Sequence, residues 1–220
     1  MRMHKMHTHL VRWYDLTHLG DLMSRRFLFV LGSARAEGNT QLLARRAAEQ
    51  LPDDVEQRWI DLTEQPLPEF EDLRHDSDHV RPPSGTPTGL LLDATLAATD
   101  IVIASPVYWY SVSAQTKRYL DHWSGWLRIP GLDFKATMGG RTLWGVAALA
   151  DEELSVADPY VGTLRNSAAY MGMRFGGVLL GSGSKPGDVL NDTGALTRAK
   201  TFFAQDAPLA RFPHESAGVV

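Results

Sequence analysis

The sequence predicts an α/β fold built on a doubly wound, five-stranded parallel sheet with strand order 2-1-3-4-5. Short, continuously apolar runs alternate with longer amphipathic segments along most of the chain. Strands that are apolar throughout are buried on both faces, as in parallel sheets covered by helices. The length of 220 residues is enough for one such domain with a large core.

Five short segments are predicted strands, and five segments with apolar residues at helical spacing are predicted helices. The strands are Phe27–Leu31, Gln57–Leu62, Asp100–Ala104, Thr142–Leu149 and Phe175–Leu180. The helices are Thr40–Leu51, Leu90–Ala98, Ala114–Trp126, Pro159–Met171 and Val189–Phe203. The polar, proline-rich residues 63–88 form a long irregular connection between the second strand and the second helix.

We divide the chain into an extension at 1–25, a domain at 26–206 and a tail at 207–220. The extension lacks an apolar core followed by a small-residue cleavage site, so it is not a secretory signal. Its three closely spaced histidines have a composition that binds metals, but no carboxylate or cysteine completes a coordination shell. We interpret them as a solvated, loosely held tail; they are His4, His7 and His9.

Composition excludes several classes of protein. A net charge of -4 gives no basic surface for nucleic acid. The absence of cysteine removes disulfides, thiol catalysis and iron–sulfur clusters. No stretch approaches the roughly 20 apolar residues of a membrane helix. We therefore expect a cytoplasmic protein with no membrane partner.

The loop after the first strand has the composition of a phosphate site. The segment Phe27–Thr40 reads FLFVLGSARAEGNT, a strand followed by small and hydroxyl residues and then a helix start. Backbone N–H groups and the helix dipole favour an anion there. No Lys follows the last Gly, so this is not a Walker A loop, and no GxGxxG of a dinucleotide turn is present. A loop for a terminal monophosphate points to a mononucleotide such as FMN.

The loop after the third strand, Ser105–Ser113, carries three consecutive aromatic residues, Tyr108, Trp109 and Tyr110. Neighbouring side chains diverge, so at least one of them is expected to be exposed. In the predicted order the switch point lies between strands 1 and 3, so this loop faces the phosphate-type loop. The aromatic residues fit a flat ligand; a dimer-interface patch is the alternative. Ser113 is the predicted N-cap of the next helix.

The two loops together resemble the NADPH-dependent FMN reductase family, which has a flavodoxin-like fold. The resemblance lies in LGSARAEGNT, SPVYWYSVSAQTKRYLDH and GSGSKPGDVL, and as an ordered series of elements it covers residues 26–206. It implies that the first loop holds the FMN phosphate, that the second borders the flavin ring, and that the loop after the fourth strand approaches the other edge. The implied cofactor-binding residues are Ser33, Arg35, Gly38, Asn39, Thr40, Pro106, Val107, Tyr108, Trp109, Tyr110, Ala150 and Asp151.

Two of these assignments have alternatives. Arg35 supplies positive charge for a phosphate, or it forms a surface salt bridge. Asp151 and its neighbour Glu152 are acidic beside an anionic reduced flavin, and capping of the next helix is their other interpretation. The chain is also similar to iron–sulfur flavoproteins around PVYW, but residues 63–88, where those carry their cysteine cluster, contain no cysteine.

The resemblance implies an FMN-dependent NAD(P)H oxidoreductase. Hydride would pass from NADPH or NADH to FMN, and electrons would then reach a flavin, a quinone or another small acceptor by a ping-pong reaction. No set of catalytic side chains is expected, and His122 is interpreted as a surface residue. The alternatives are a flavodoxin-type electron carrier and a flavin-free phosphate-binding module. A homodimer or homotetramer is expected from the resemblance.

Overall fold

A computed structural model of the chain describes residues 25–73, 75 and 79–216, so the closely spaced His4, His7 and His9 of the extension lie outside the described residues. Five parallel strands form one sheet in the order β2-β1-β3-β4-β5, which confirms the predicted flavodoxin-like order. The strands are β1 Arg26–Leu31, β2 Glu56–Asp61, β3 Asp100–Ala104, β4 Thr142–Leu149 and β5 Arg174–Ser182.

Helices cover both faces of the sheet. They are α1 Asn39–Ala48, α2 Pro87–Ala97, α3 Ala114–Trp126, α4 Phe134–Met138, α5 Asp158–Tyr170, α6 Thr193–Ala199 and α7 Pro213–Ser216. Short 3₁₀ turns at Leu154–Ala157, Asp188–Asn191 and Phe202–Ala204 complete the elements. None of the helices in the described ranges has the length and apolar character needed to cross a membrane.

Alternation along the strands divides the core between the two faces. Leu28 and Val30 of β1 pack with α2, α3 and α5, whereas Phe27 and Phe29 pack with α1 and α6. All five residues of β3 are buried, as expected for a central strand. The apolar runs that predicted the strands are therefore the interior of a sheet covered on both sides.

The predicted helix over 189–203 is wrong at both ends: α6 spans only Thr193–Ala199, with a 3₁₀ turn on either side, and the structure breaks the helix at Asp192. The Asp192 carboxylate accepts hydrogen bonds from Ala195 N (2.8 Å) and Ser182 N (2.9 Å). It thereby caps α6 and joins it to the end of β5. The apolar spacing continues through this capping residue, so periodicity alone did not locate the break.

The long connection after β2 is fastened to α3. Arg118 donates to the backbone oxygen of Leu67 (3.2 Å) and pairs with Glu69. A ring nitrogen of His122 lies 3.1 Å from the backbone oxygen of Pro68. These contacts place His122 in a structural role on the outer side of α3.

The tail continues the packing of the domain beyond residue 206. Arg174 and Leu209 form an antiparallel bridge. Phe175 N donates to Pro208 O (2.9 Å), and Ala210 N donates to Met173 O (3.0 Å). Residues 207–210 thus run beside the start of β5.

Candidate functional site

A cleft lies at the carboxyl ends of the neighbouring strands β1 and β3. From these ends the chain continues to opposite halves of the sheet, to β2 after β1 and to β4 after β3. The cleft encloses a cavity of about 310 Å³, within the size range of small-ligand sites. Nine of the twelve predicted residues line it. They are Ser33, Arg35, Gly38, Asn39, Thr40, Pro106, Val107, Tyr108 and Ala150.

A second cavity, of about 640 Å³, adjoins the first and shares Val107, Leu149 and Ala150 with it. Tyr110 and Asp151 line this second space. Trp109 lines neither cavity and is 94% exposed. Eleven of the twelve predicted residues therefore line two adjoining cavities, and the side chain of the twelfth, Trp109, faces solvent.

The loop after β1 is closed by its own polar groups. Ser33 Oγ donates to Arg35 O (3.0 Å) and accepts from Arg35 N (3.1 Å). Glu37 has a φ of 50°, and its N–H donates to Gln41 Oε1 (2.8 Å). A Cβ on Gly38 would lie 3.2 Å from Ser33 Oγ, so a larger residue would crowd the loop.

The start of α1 has the properties of an anion site. Its N-cap is Gly38, no side chain caps it, and its first turn holds no acidic residue. The N–H groups of that turn and the helix dipole therefore remain to act on a ligand. Arg35 is exposed and, within the described ranges, has no carboxylate partner, so a local ion pair does not account for its charge.

The side chains of Asn39 and Thr40 hold the cleft together. Thr40 Oγ1 is buried and accepts from Ala148 N (3.1 Å) at the end of β4. Its hydroxyl proton remains to be donated. Asn39 donates to the backbone oxygens of Gly183 and Lys185, both at 2.9 Å, and accepts from Gly187 N (2.8 Å).

The aromatic segment after β3 is a tight two-residue turn. Tyr108 N donates to Ser111 O (2.9 Å), and Ser111 N donates to Tyr108 O (3.0 Å). The two central residues, Trp109 and Tyr110, have φ values of 48° and 64°. Such turns prefer Asn-Gly, and bulky residues in this region are strained by about 1–3 kcal/mol each. All three aromatic side chains are exposed, which satisfies the expectation that at least one would be.

Buried hydroxyls join the loop after β3 to the loop after β1. Ser105 Oγ accepts from Ser113 N (2.9 Å), and Ser113 Oγ donates to Gly32 O (2.6 Å). Ser113 Oγ also accepts from Thr116 N (3.3 Å), which confirms Ser113 as the N-cap of α3. The two loops therefore stand in a fixed relation before any ligand binds.

The acidic loop after β4 caps the turn that follows it. Asp151 Oδ1 accepts from Glu153 N (2.9 Å), and Glu153 Oε1 accepts from Ser155 N (3.1 Å). Hydrogen bonds from Ser155 hold the pKa of the Glu153 carboxyl below its usual range. Capping thus involves Asp151 and Glu153, while Glu152 lines the second cavity.

The sequence analysis assigned no role to Gly183 and Ser184, which line the cavity beside Arg35. The motif GSGSKPGDVL did contribute to the resemblance, but nothing in the sequence placed this loop beside the first one. Ala148 was missed because it reads as an apolar strand residue. Its contribution is a backbone N–H, which residue type does not reveal.

A third cavity, of about 600 Å³, lies at the amino ends of β3, β4 and β5, opposite to the cleft. Its buried carboxylate, Asp100, pairs with Arg25 and accepts from Trp144 Nε1 (2.8 Å). Arg141 donates there to backbone oxygens at the end of α2, including Leu96 O (2.7 Å). Burial holds the pKa of Arg141 below its usual range. These charges are balanced by one another and by the carboxyl end of α2, so we assign this cavity no ligand.

The fold and the cleft define a flavodoxin-like protein with its site at the topological switch point. The model of the NADPH-dependent FMN reductase family matches residues 25–174. YwqN of Bacillus subtilis, described as an NAD(P)H-dependent FMN-containing oxidoreductase, is 33% identical over 169 residues, covering 76% of this chain and 91% of YwqN. The chain therefore belongs to the NADPH-dependent FMN reductase family, whose members are enzymes that use FMN and NAD(P)H.

Two further comparisons agree with this assignment. An iron–sulfur flavoprotein of Methanocaldococcus jannaschii is 29% identical, with 78% of this chain and 90% of that protein covered. The structure of the Trp repressor binding protein from Bacillus subtilis superposes with a TM-score of 0.64 and 26% identity, covering 82% of this chain and 99% of that one. Because this chain has no cysteine, it cannot form a cysteine-ligated cluster of its own.

Proposed function

We propose that the chain binds FMN in the cleft and catalyses ping-pong electron transfer from NAD(P)H to a flavin, a quinone or another small acceptor. One observation carries the proposal. A single cavity brings the uncapped start of α1 and Arg35 together with the aromatic turn after β3. One end of the cleft thus suits a phosphate and the other a flat aromatic ring.

The residues at the phosphate end fit a mononucleotide. The loop 33–38 encloses a space that a Cβ on Gly38 would narrow, and Arg35 adds a guanidinium suited to a phosphate dianion. Thr40 has a hydroxyl proton available for the same group. In the bound state these residues would fix the cofactor by its phosphate, while the ring lies towards Tyr108.

The ring end is shaped by backbone and aromatic groups. Pro106, Val107 and Tyr108 form one side of the cavity, and Leu149 with Ala150 forms the other. When bound, FMN would supply the redox chemistry, as the acceptor of hydride from NAD(P)H and the donor of electrons to the second substrate. The chain positions the ring between these walls, and the adjoining cavity beside Tyr110 and Glu152 gives a second small molecule access to it.

The exposed aromatic turn also supports self-association. Three aromatic side chains lie exposed on one turn at the mouth of the cleft. A homodimer or homotetramer that covers them would also shield the flavin ring of bound FMN from water. Sedimentation equilibrium of the parent protein and of a Trp109→Ser variant tests this. The proposal predicts a lower association constant for the variant, and equal constants would contradict it.

The decisive experiment is an absorbance spectrum of the purified full chain, followed by anaerobic titration with NADPH and then NADH. We expect a flavin spectrum that bleaches with one equivalent of reductant and returns when a quinone is added. A protein that binds FMN but oxidises NAD(P)H negligibly in the steady state would be an electron carrier. Failure to bind FMN after reconstitution would leave a flavin-free phosphate-binding module.

A further inference from the structure

We propose that the loop 183–187 after β5 forms part of the phosphate end of the cofactor site, that Ser184 contacts the phosphate, and that Asn39 acts as the residue that positions this loop. The proposal rests on the function proposed above. It assigns Asn39 a role different from direct phosphate binding and adds a loop to which the resemblance assigned no cofactor-binding residue.

The side-chain amide of Asn39 forms all of its hydrogen bonds with the loop 183–187. Both N–H groups of its side-chain amide donate to backbone oxygens, of Gly183 and Lys185, and its oxygen accepts from Gly187 N. Two acceptors and one donor around the amide fix its orientation. The side chain has no N–H left for a phosphate, so its contribution to the site passes through the loop that it holds.

The loop packs closely against the cleft because two of its residues are glycine. A Cβ on Gly183 would lie 2.9 Å from Asn39 Nδ2 and 2.7 Å from Val189 N, so only glycine allows this approach. Gly187 has a φ of 86°, a conformation that glycine adopts without strain. Gly183 N in turn donates to Leu149 O (2.8 Å), which ties the loop to β4 on its other side. The loop is thus held against the cleft at both ends.

The start of the loop lies at the phosphate end of the cleft. Gly183 and Ser184 line the same cavity as Ser33 and Arg35. Lys185 is exposed on the loop; its backbone N–H donates to Asp188 Oδ2 (2.7 Å), while its ammonium, like the Arg35 guanidinium, forms no ion pair in the part of the chain that the structure describes. By donating to two loop carbonyls, Asn39 also satisfies oxygens that would otherwise repel an anion. The Ser184 hydroxyl therefore joins Arg35 at this end, and the next residue of the loop, Lys185, carries a positive charge.

The test compares FMN with riboflavin, which lacks the phosphate. Dissociation constants of both flavins are measured by fluorescence quenching for the parent and for Ser184→Ala, Lys185→Gln and Asn39→Ala. Loss of one hydrogen bond to a charged group predicts about tenfold weaker FMN binding in Ser184→Ala. We expect a similar or larger loss in Asn39→Ala and unchanged riboflavin affinity in Ser184→Ala. The matched controls, Ser124→Ala and Asn166→Ala on the outer helices, should bind both flavins like the parent.

A purely structural role for Asn39 would weaken FMN and riboflavin equally, and that result would overturn the positioning role. Unchanged FMN affinity in Ser184→Ala would overturn the contact. If Asn39→Ala does not fold, Ser184→Ala and Lys185→Gln still decide the role of the loop, and Asn39→Asp, which keeps the size but replaces the donors, decides that of Asn39. A parent that binds neither flavin would refute the proposed function instead, so the two failures are distinguishable.

Discussion

The hydroxyl of Ser113 donates a 2.6 Å hydrogen bond to the backbone oxygen of Gly32, although 81 residues separate them. This bond links the end of β1 to the start of α3 directly beneath the cleft. Both residues are buried, and Thr116 lies against the same point, where a Cβ on Gly32 would fall 1.8 Å from Thr116 Oγ1. The junction leaves no room for a side chain at Gly32.

Replacing Gly32 with Ala should therefore destabilise the protein by overpacking, by about 1–3 kcal/mol or more. Thr116→Ala removes the nearest atom, so it should recover part of that loss when the two changes are combined. Urea unfolding of the parent, the two single variants and the double variant measures the coupling. Independent, additive effects of the two changes would show that the close contact is not the cause.

Arg35→Gln should weaken FMN binding by about 10- to 100-fold, because a charge-assisted bond to a phosphate is worth about 1.5–3 kcal/mol. Riboflavin affinity should stay the same, and so should the midpoint of urea unfolding of the flavin-free protein. Arg46→Gln on α1, whose charge pairs with Glu49, is the matched control. Equal FMN retention by parent and Arg35→Gln would remove Arg35 from the site.

Thr40→Val keeps the shape of the side chain but leaves the buried N–H of Ala148 without its acceptor. We expect a loss of about 1–3 kcal/mol in the free energy of unfolding, together with weaker FMN binding. Thr40→Ser keeps the hydroxyl and should recover most of both. Chemical denaturation and flavin titration measure the two effects, and a fully stable Thr40→Val would contradict the bridging role.

The strained turn predicts a trade-off between stability and activity. Trp109→Asn combined with Tyr110→Gly supplies the residues that such a turn prefers, and should stabilise the flavin-free protein by about 1–3 kcal/mol. The same variant should oxidise NAD(P)H more slowly, because the Tyr110 ring that lines the adjoining cavity is lost. Replacing both residues with Ala removes the rings without relieving the backbone. That control should therefore lose activity with no gain in the unfolding midpoint.

Asp192 predicts a pH-dependent contribution to stability. Partial burial opposes ionisation, but hydrogen bonds from the N–H groups of Ala195 and Ser182 prevail and hold its pKa below the ordinary value of 3.8. Because the folded pKa is depressed, the stabilisation is present above pH 3.8 and is lost as the pH falls through the folded value. Asp192→Ala should cost about 1 kcal/mol at pH 7. The gap between parent and variant should narrow below pH 4 in urea unfolding; a constant gap would contradict the assignment.

The sheet was predictable because most of its strands are recognisable from consecutive apolar residues in the sequence. The runs at Asp100–Ala104 and Thr142–Leu149 have no polar side chain after their first residue, and their predicted bounds match β3 and β4. The N-cap at Ser113 was predictable because a hydroxyl residue there ends a loop and precedes an amphipathic run. The break at Asp192 was not, because the apolar period continues across it.

The sequence by itself determined the fold class and the succession of strands and helices, because periodicity is a local property. The flavodoxin-like strand order, and with it the pair of loops that face each other across β1 and β3, came from the resemblance that the loop motifs carry. Tertiary structure alone decided that Asn39 reaches Gly183 and that Ala148 offers its N–H to Thr40. It also decided that Trp109 points into solvent rather than into the cleft. Those outcomes depend on which backbone groups of distant segments come into contact. Such contacts cannot be inferred from the types of the residues involved.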